Sequence, residues 1–421
     1  MKVAAVELTH LDLPFTARSD KHLRYWIPAW RIVQICKLTL DNGIVGWGET
    51  ILYATHARIA ADIEDRIVGQ EAASLLWHDD LGAGLQLALF DAVGKNENVS
   101  ACDLLGKKLR DWCPISWWAC DMGPEDWAQQ CQDAVSQGYM SAKFKSRPWQ
   151  DLHACLNAGI EVVPPQFKFD LDFNGHLVNS ANAIPLLKSL EQYEQVAMIE
   201  TPIPQRDITG NVQIRGHIHR PLAMHFDDPP IATALREDVT DGLIIGGGAA
   251  QLLEQDAILR TANKPLWLQL VGTGITTTWA AHIAAVCTQA RWPSITCMNI
   301  YESQLLAQPI EVRGGYYKLP EGPGLGIEVD LAALQQYEVN YTEIDHVRHI
   351  YKYQRSCGET VYIAGYRSAF HGRYTAAALP ICERGSTLDI IDDDGSQKFS
   401  QFYDQVESKG LLFERSELGY E

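Results

Sequence analysis

The chain is short of positive charge: 35 Lys and Arg stand against 53 Asp and Glu over 421 residues, a formal net charge of −18. Nucleic acids and anionic membrane surfaces attract the opposite surplus, so neither is expected as a general partner. No stretch approaches the roughly 18 apolar residues of a membrane-spanning helix. Near the start, Glu7, His10 and Asp12 interrupt a brief apolar patch, which does not read as a signal peptide. Ten cysteines are scattered without a C-x-x-C pair or a dense framework, the pattern of reduced, mostly buried thiols in a cytoplasmic protein. No G-x-G-x-x-G follows a first strand, which argues against a doubly wound dinucleotide fold. Asp392, Asp393 and Asp394 are consecutive rather than alternate, so they read as a solvated turn and not as a calcium loop.

What is present divides into unequal parts. Residues 1–113 read as an α+β unit, with strands at 3–13, 32–40 and 44–49, a turn at Asp41-Asn42-Gly43, and helices at 57–69 and 81–95. Residues 114–304 change rhythm. Short apolar runs at 115–119, 141–145, 167–172, 197–200, 222–226, 243–246, 266–271 and 295–300 alternate with helical stretches such as 124–137, 149–158, 183–195 and 249–262. Eight such units predict parallel strands and match the size of a TIM-type barrel. Residues 305–340 are rich in turns, with Gly314-Gly315 and the stretch 320–326, and are expected to return to the first unit. Residues 341–421 form an extension of unassigned role, with a strand expected at 361–366 and a helix at 399–410.

Chemistry in a parallel barrel sits at the C-terminal strand ends, and here those ends are polar. The second run closes on Lys143-Phe144-Lys145; residues two apart on a strand share a face, so both ammonium groups point the same way. Two close cations lower each other's pKa, which suits a lysine to act as a base. The third run ends Asp170-Leu171-Asp172, followed by Asn174 and His176. The fourth ends at Glu200, and the fifth at His225-Phe226-Asp227. Lys145, Asp172, Glu200 and Asp227 follow one another at intervals of 27, 28 and 27 residues, one polar cluster per βα unit. Carboxylates converging from adjacent strands repel unless they hold a cation, and oxygen ligands favour a hard ion such as Mg²⁺.

Taken in order, Asp41-Asn42-Gly43-Ile44-Val45-Gly46-Trp47-Gly48-Glu49, Ala88 to Lys95, Leu104-Leu105-Gly106, the Lys143/Lys145 pair, Asp172-Phe173-Asn174, Glu200-Thr201-Pro202 and Pro323 to Val329 resemble the mandelate racemase/muconate lactonizing enzyme branch of the enolase superfamily. The resemblance implies an α/β fold: a modified (β/α)7β TIM-type barrel under an α+β capping domain. It also implies one Mg²⁺ held by acids ending the third, fourth and fifth strands, abstraction of the proton α to a carboxylate, and homo-oligomeric assembly. Asp172 and Glu200 match the first two ligands. At the fifth strand the chain has His225-Phe226 where the family carries an acid, so Asp227 or His225 is the candidate third ligand. The second base of racemising relatives would fall near Gly246 or Gln269, neither of which is a base. Lys145 is thus the expected base, with Lys143 lowering its pKa and His176 as a candidate general acid. Asn174 and Gln269, with Arg24, Tyr25, Trp26 and Tyr53 from two capping loops (15–30 and 53–56), are the candidate substrate contacts. The expected activity is a Mg²⁺-dependent lyase that dehydrates an acid sugar or similar small carboxylate. A racemase, epimerase or cycloisomerase of the same superfamily, and a catalytically silent binding protein, are the alternatives.

Overall fold

The computed structural model describes residues 1–55, 58–340, 344 and 347–415. Three antiparallel strands, Val3–Asp12, Ile32–Leu40 and Val45–Ile51, form the N-terminal sheet in chain order. The helix Ala83–Glu97 lies across its third strand. Gly46 and Gly48 make that contact possible. A Cβ at Gly48 would sit 1.9 Å from the Gly84 carbonyl oxygen, and one at Gly46 would sit 2.0 Å from that of Ala88. Gly48→Ala is therefore expected to lower stability by about 3 kcal/mol, read as a fall in the urea midpoint, because backbone cannot yield as a side chain does. The helix expected at 57–69 is shorter, Ile63–Ile67; His56 and Ala57 lie outside the described residues.

Seven parallel strands follow, each paired with the next: Trp117–Ala119, Ser141–Lys145, Lys168–Asp172, Val196–Glu200, Leu222–His225, Gly242–Ile245 and Leu266–Leu268. The eighth position is held by residues 294–295. Ser294 bridges Ile115 of the first strand's approach and Ile295 bridges Gln269 after the seventh, closing the barrel. The expected run 295–300 is cut short because Cys297 takes a left-handed conformation (φ 60°) and a 3-10 turn, Met298–Ile300, follows.

The capping sheet is fastened to the barrel by two carboxylates seated on helix N-termini, where unpaired N–H groups favour an anion. Glu49 accepts from the Thr273 and Thr276 N–H groups at 2.6 and 2.8 Å, at the start of Gly274–Val286. Asp79 accepts from Ala250 and Gln251 at 3.1 and 2.8 Å, at the start of Ala249–Ala262. The turn-rich stretch 320–326 returns to the helix Ala83–Glu97, where buried Asp91 accepts the Leu325 N–H at 2.8 Å.

Residues 347–415 fold into a four-stranded antiparallel sheet in the order Thr387–Asp392, His349–Gln354, Glu359–Ala364, Leu412–Arg415. Strand alternation gives this sheet two buried faces. Ile350 and Ala364 join Phe399, Tyr403 and Val406 of the helix Gln397–Lys409 in a small separate core. Tyr351, Tyr353, Val361 and Ile363 face the other way, with Phe370 and Tyr374 of the helix Arg367–Ala376, and merge with the main core. Among the described residues all ten cysteines are free thiols and no helix is long and apolar enough to cross a membrane.

Candidate active site

The register of the barrel strands sets Lys145 beside Asp172 and Asp172 beside Glu200. Three consecutive βα units thus deliver their last polar residue to the same height. Asp172 and Glu200 are fully buried and Lys143 is 1% exposed. Lys145 Nζ donates to Asp172 Oδ2 at 2.5 Å and to Asn174 Oδ1 at 3.1 Å. Lys143 Nζ lies 2.5 Å from Glu200 Oε2 and 3.2 Å from Asp172 Oδ2. It also donates to Gln269 Oε1 at 2.9 Å.

The two lysines are electrostatically unequal. Burial opposes the charge of Lys143, but Glu200 and Asp172 outweigh it and raise its pKa to about 12. Burial also acts on Lys145; Asp172 opposes it, but Lys143 and Arg147 reinforce it, and the Lys145 pKa falls below the ordinary lysine value. Lys145 is the amine that gives up its proton more readily. Asp172, buried yet flanked by Lys145 and Lys143, is held well below the ordinary carboxylate range. Asp170, one layer deeper, is pushed by burial to about 7 against the pull of Lys143.

At the fifth strand, His225 turns inward, its Nε2 3.3 Å from Glu200 Oε1. Asp227 does not join the cluster. The strand ends at His225, Asp227 takes a left-handed conformation (φ 63°), and its Oδ1 accepts the Ile231 N–H at 3.2 Å on the exposed rim. His176 is also elsewhere. It packs on Trp149 and His371, ring centroids 6.0 and 4.7 Å away, and burial lowers its pKa to about 4. Of the capping residues, Tyr25 bonds Asp392, Trp26 stacks between Trp149 and Tyr351, and exposed Arg24 pairs with half-buried Asp20. Tyr53 is exposed under the Arg58 guanidinium. Tyr25 and Trp26 therefore engage the C-terminal extension, which sequence patterning gave no means of placing beside them. A cavity of about 480 Å³ opens along strands five to seven, lined by His225, Phe226, Gly246, Gly247, Gln251 and Gln269. It adjoins the lysine cluster through the Lys143–Gln269 bond.

Among the described residues no three His, Cys, Asp or Glu side chains converge as a ready metal cage. The donors nevertheless fit one divalent ion in part. Both Glu200 oxygens are buried without a hydrogen-bond donor, despite the short ion pair to Lys143. Asp172 stands next to Glu200 in register, and the His225 imidazole is adjacent. The Lys143 ammonium now lies between the two acids, so an ion and this amine compete for the same oxygens. Lys143→Met is expected to tighten binding of Mg²⁺ or Mn²⁺ about tenfold in calorimetry with the metal alone; unchanged affinity would show that they do not share a site.

Residues 126–333 match the enolase C-terminal domain-like family. The N-succinyl-L-Arg/Lys racemase of Bacillus cereus is 22% identical over 80% of this chain and 98% of its own length. Its crystal structure superposes with a TM-score of 0.67, at 21% identity over the same shares. The D-galactonate dehydratase of Ralstonia pickettii is 23% identical over 72% of this chain and 90% of its own. An enolase of Thermobispora bispora, complexed with magnesium and formate, superposes with a TM-score of 0.65 at 21% identity, covering 80% of this chain and 92% of that one. The lysine pair, the in-register acids and the capped, closed barrel agree with these matches: residues 126–333 form an enolase C-terminal domain-like unit, and the chain shares the barrel-and-cap fold of these neighbours.

Proposed function

We propose that the protein is a divalent-metal-dependent enzyme that removes the proton α to the carboxylate of a small hydroxy acid and expels the β-hydroxyl as water. The observation that carries this reading is the pairing of a high-pKa Lys143 with a low-pKa Lys145 against Asp172 and Glu200. Asp172 and Glu200, with His225 beside them, would hold the ion. When bound, it would supply positive charge to steady the substrate carboxylate.

The chain's own residues divide the remaining work. Neutral Lys145 takes the α-proton, and the C–H electron pair passes into an enediolate. Lys143, beside Gln269, donates to the oxygen on which charge develops. Lys145, now an ammonium, returns its proton to the β-hydroxyl as the C–O bond breaks. Water leaves, and where the α-carbon also carries a hydroxyl, as in an acid sugar, the resulting enol rearranges to a 2-keto acid. One amine serves as base and then acid, which fits a cavity where the sixth and seventh strands contribute Gly246 and Gln269. The similarity to a racemase and a dehydratase supports α-proton chemistry in general.

Incubating the protein with Mg²⁺ or Mn²⁺ and a panel of acid sugars in deuterated water tests the reading. Formation of 2-keto acid is the expected result. Deuterium at the α-carbon without elimination would place the protein among racemases and epimerases, and absence of both would sink the proposal.

A further inference from the structure

Six buried polar atoms without a hydrogen-bond partner among the described residues gather where the C-terminal unit meets the barrel: Asp121 Oδ2, Arg147 Nη1 and Nη2, Trp149 Nε1, the Tyr351 hydroxyl and His371 Nε2. They come from three separate stretches of chain. Asp121 follows the first barrel strand, Arg147 and Trp149 follow Lys145, and Tyr351 and His371 belong to the extension. Arg147 is fully buried, and its Nε donates to Asp121 Oδ1 at 3.0 Å, leaving both terminal nitrogens over. The Trp149 and His371 rings are 4.7 Å apart, and Trp26 stacks on both Trp149 and Tyr351, at 5.9 and 5.0 Å. The Arg367 guanidinium lies 5.9 Å from the centre of the Trp26 ring and is near enough to Asp121 and Arg147 to act on them electrostatically.

The surplus has a sign. Two guanidinium groups face one carboxylate, and the unused groups are mainly donors: the ends of Arg147, an indole N–H and a phenolic O–H. Leaving such groups unpaired costs about 1–3 kcal/mol each, and native proteins keep few of them. The cluster adjoins the reacting amine along the chain. Arg147 is two residues beyond Lys145, and the intervening Ser146 N–H bonds the Asp172 carbonyl at 2.8 Å.

We propose that this cluster recognises a second carboxylate, at the end of the substrate remote from the carbon that yields its proton to Lys145. The inference rests on the proposed function for its orientation, and it narrows the substrate class to dicarboxylic acids. Arg147 and Arg367 neutralise the remote anion, while Trp149 and Tyr351 donate to its oxygens. The extension, which supplies Tyr351, Arg367 and His371, is on this account a specificity element.

Calorimetry on the full chain tests it with achiral probes: malonate, succinate, glutarate and adipate, each against the monocarboxylate of equal length. At least one dicarboxylate is expected to bind about tenfold tighter than its partner, the gain typical of a charged hydrogen-bonded contact. Arg367→Gln, at a partly exposed position, is expected to bring the pair to within about twofold of each other. Tyr351→Phe removes only an unpaired hydroxyl, so it is expected to weaken the dicarboxylate several-fold without lowering the melting temperature. Equal binding of the pairs, no dicarboxylate binding at all, or a preference that survives Arg367→Gln would overturn the proposal. So would a Tyr351→Phe protein that melts earlier but binds as before, which would mark a water-bridged structural network. The chemistry is read separately: α-proton exchange without dicarboxylate preference removes only this inference, and preference without exchange removes only the proposed reaction.

Discussion

Lys145→Ala is expected to slow α-proton exchange by about 10³-fold or more, within the range that a positioned acid/base group contributes, while carboxylate binding changes little. The expectation follows from the division between the two amines. Lys145 is 15% exposed at the mouth of the cluster and carries the lowered pKa, whereas Lys143 is buried and pinned as a cation. The pH dependence has a definite sign. Only the neutral amine accepts a proton, so below the Lys145 pKa the exchange rate should rise tenfold per pH unit and level off as that pKa is passed. Because burial, Lys143 and Arg147 move this pKa down, the plateau should begin at lower pH than for an ordinary lysine. Lys143→Met removes one of those influences and should shift the plateau upward. Two outcomes would show that Lys145 is not the base: a Lys145→Ala protein that exchanges at the normal rate, or a plateau indifferent to Lys143.

The second large effect belongs to Asp172. Asp172→Asn leaves the Lys143 and Lys145 ammonium groups with Glu200 as their close full carboxylate charge among the described residues, since Asp170 is partly protonated near neutrality. Breaking a buried ion pair from one side typically costs about 3–5 kcal/mol. Chemical denaturation should show a loss of that size at neutral pH, and Lys145 should become neutral at still lower pH without its principal anion. The substitution also removes a candidate metal ligand, so Mg²⁺ or Mn²⁺ should no longer stabilise the protein. A Asp172→Asn protein as stable as the parent would mean that the lysines are compensated elsewhere.

The site was partly legible before any coordinates because a βα barrel repeats. Intervals of 27 and 28 residues between Lys145, Asp172 and Glu200 become lateral neighbours once parallel strands pair in register. The same arithmetic carried on to Asp227 and there loses its physical basis. The fifth strand stops at His225, and beyond it a positive φ turns Asp227 to cap the next turn of chain. A strand's alternation has meaning only while the strand lasts, and the turn residues Asp227-Asp228-Pro229 mark where this one ends. The N-terminal sheet and the helix Ala83–Glu97 were legible through apolar periodicity and the turn at Asp41-Asn42-Gly43. The extension was legible only in part: the strand expected at 361–366 is Glu359–Ala364 and the helix expected at 399–410 is Gln397–Lys409, but the other three strands were not anticipated. Thr387–Asp392 includes Asp389 and Asp392, and its neighbours owe their burial to two different partners. Tyr25 and Trp26, expected among the substrate contacts, lie against the extension, bonded to Asp392 and stacked on Tyr351.

Glu49 and Asp79 grip the barrel by the helices that follow its seventh and sixth strands. Across the mouth, the extension holds the segment after Lys145 through bonds from Gly385 to Asp151 and from Tyr374 to the Pro148 carbonyl. A vessel clamped at two opposite rims does not open like a hinged box. The remaining threshold is the end of the fifth strand, where His225 and Phe226 are half-open to solvent at the edge of the cavity. Small acids are expected to pass over that sill with the capping sheet at rest, and a Phe226→Trp reporter should sense their arrival before any domain-scale motion is detected.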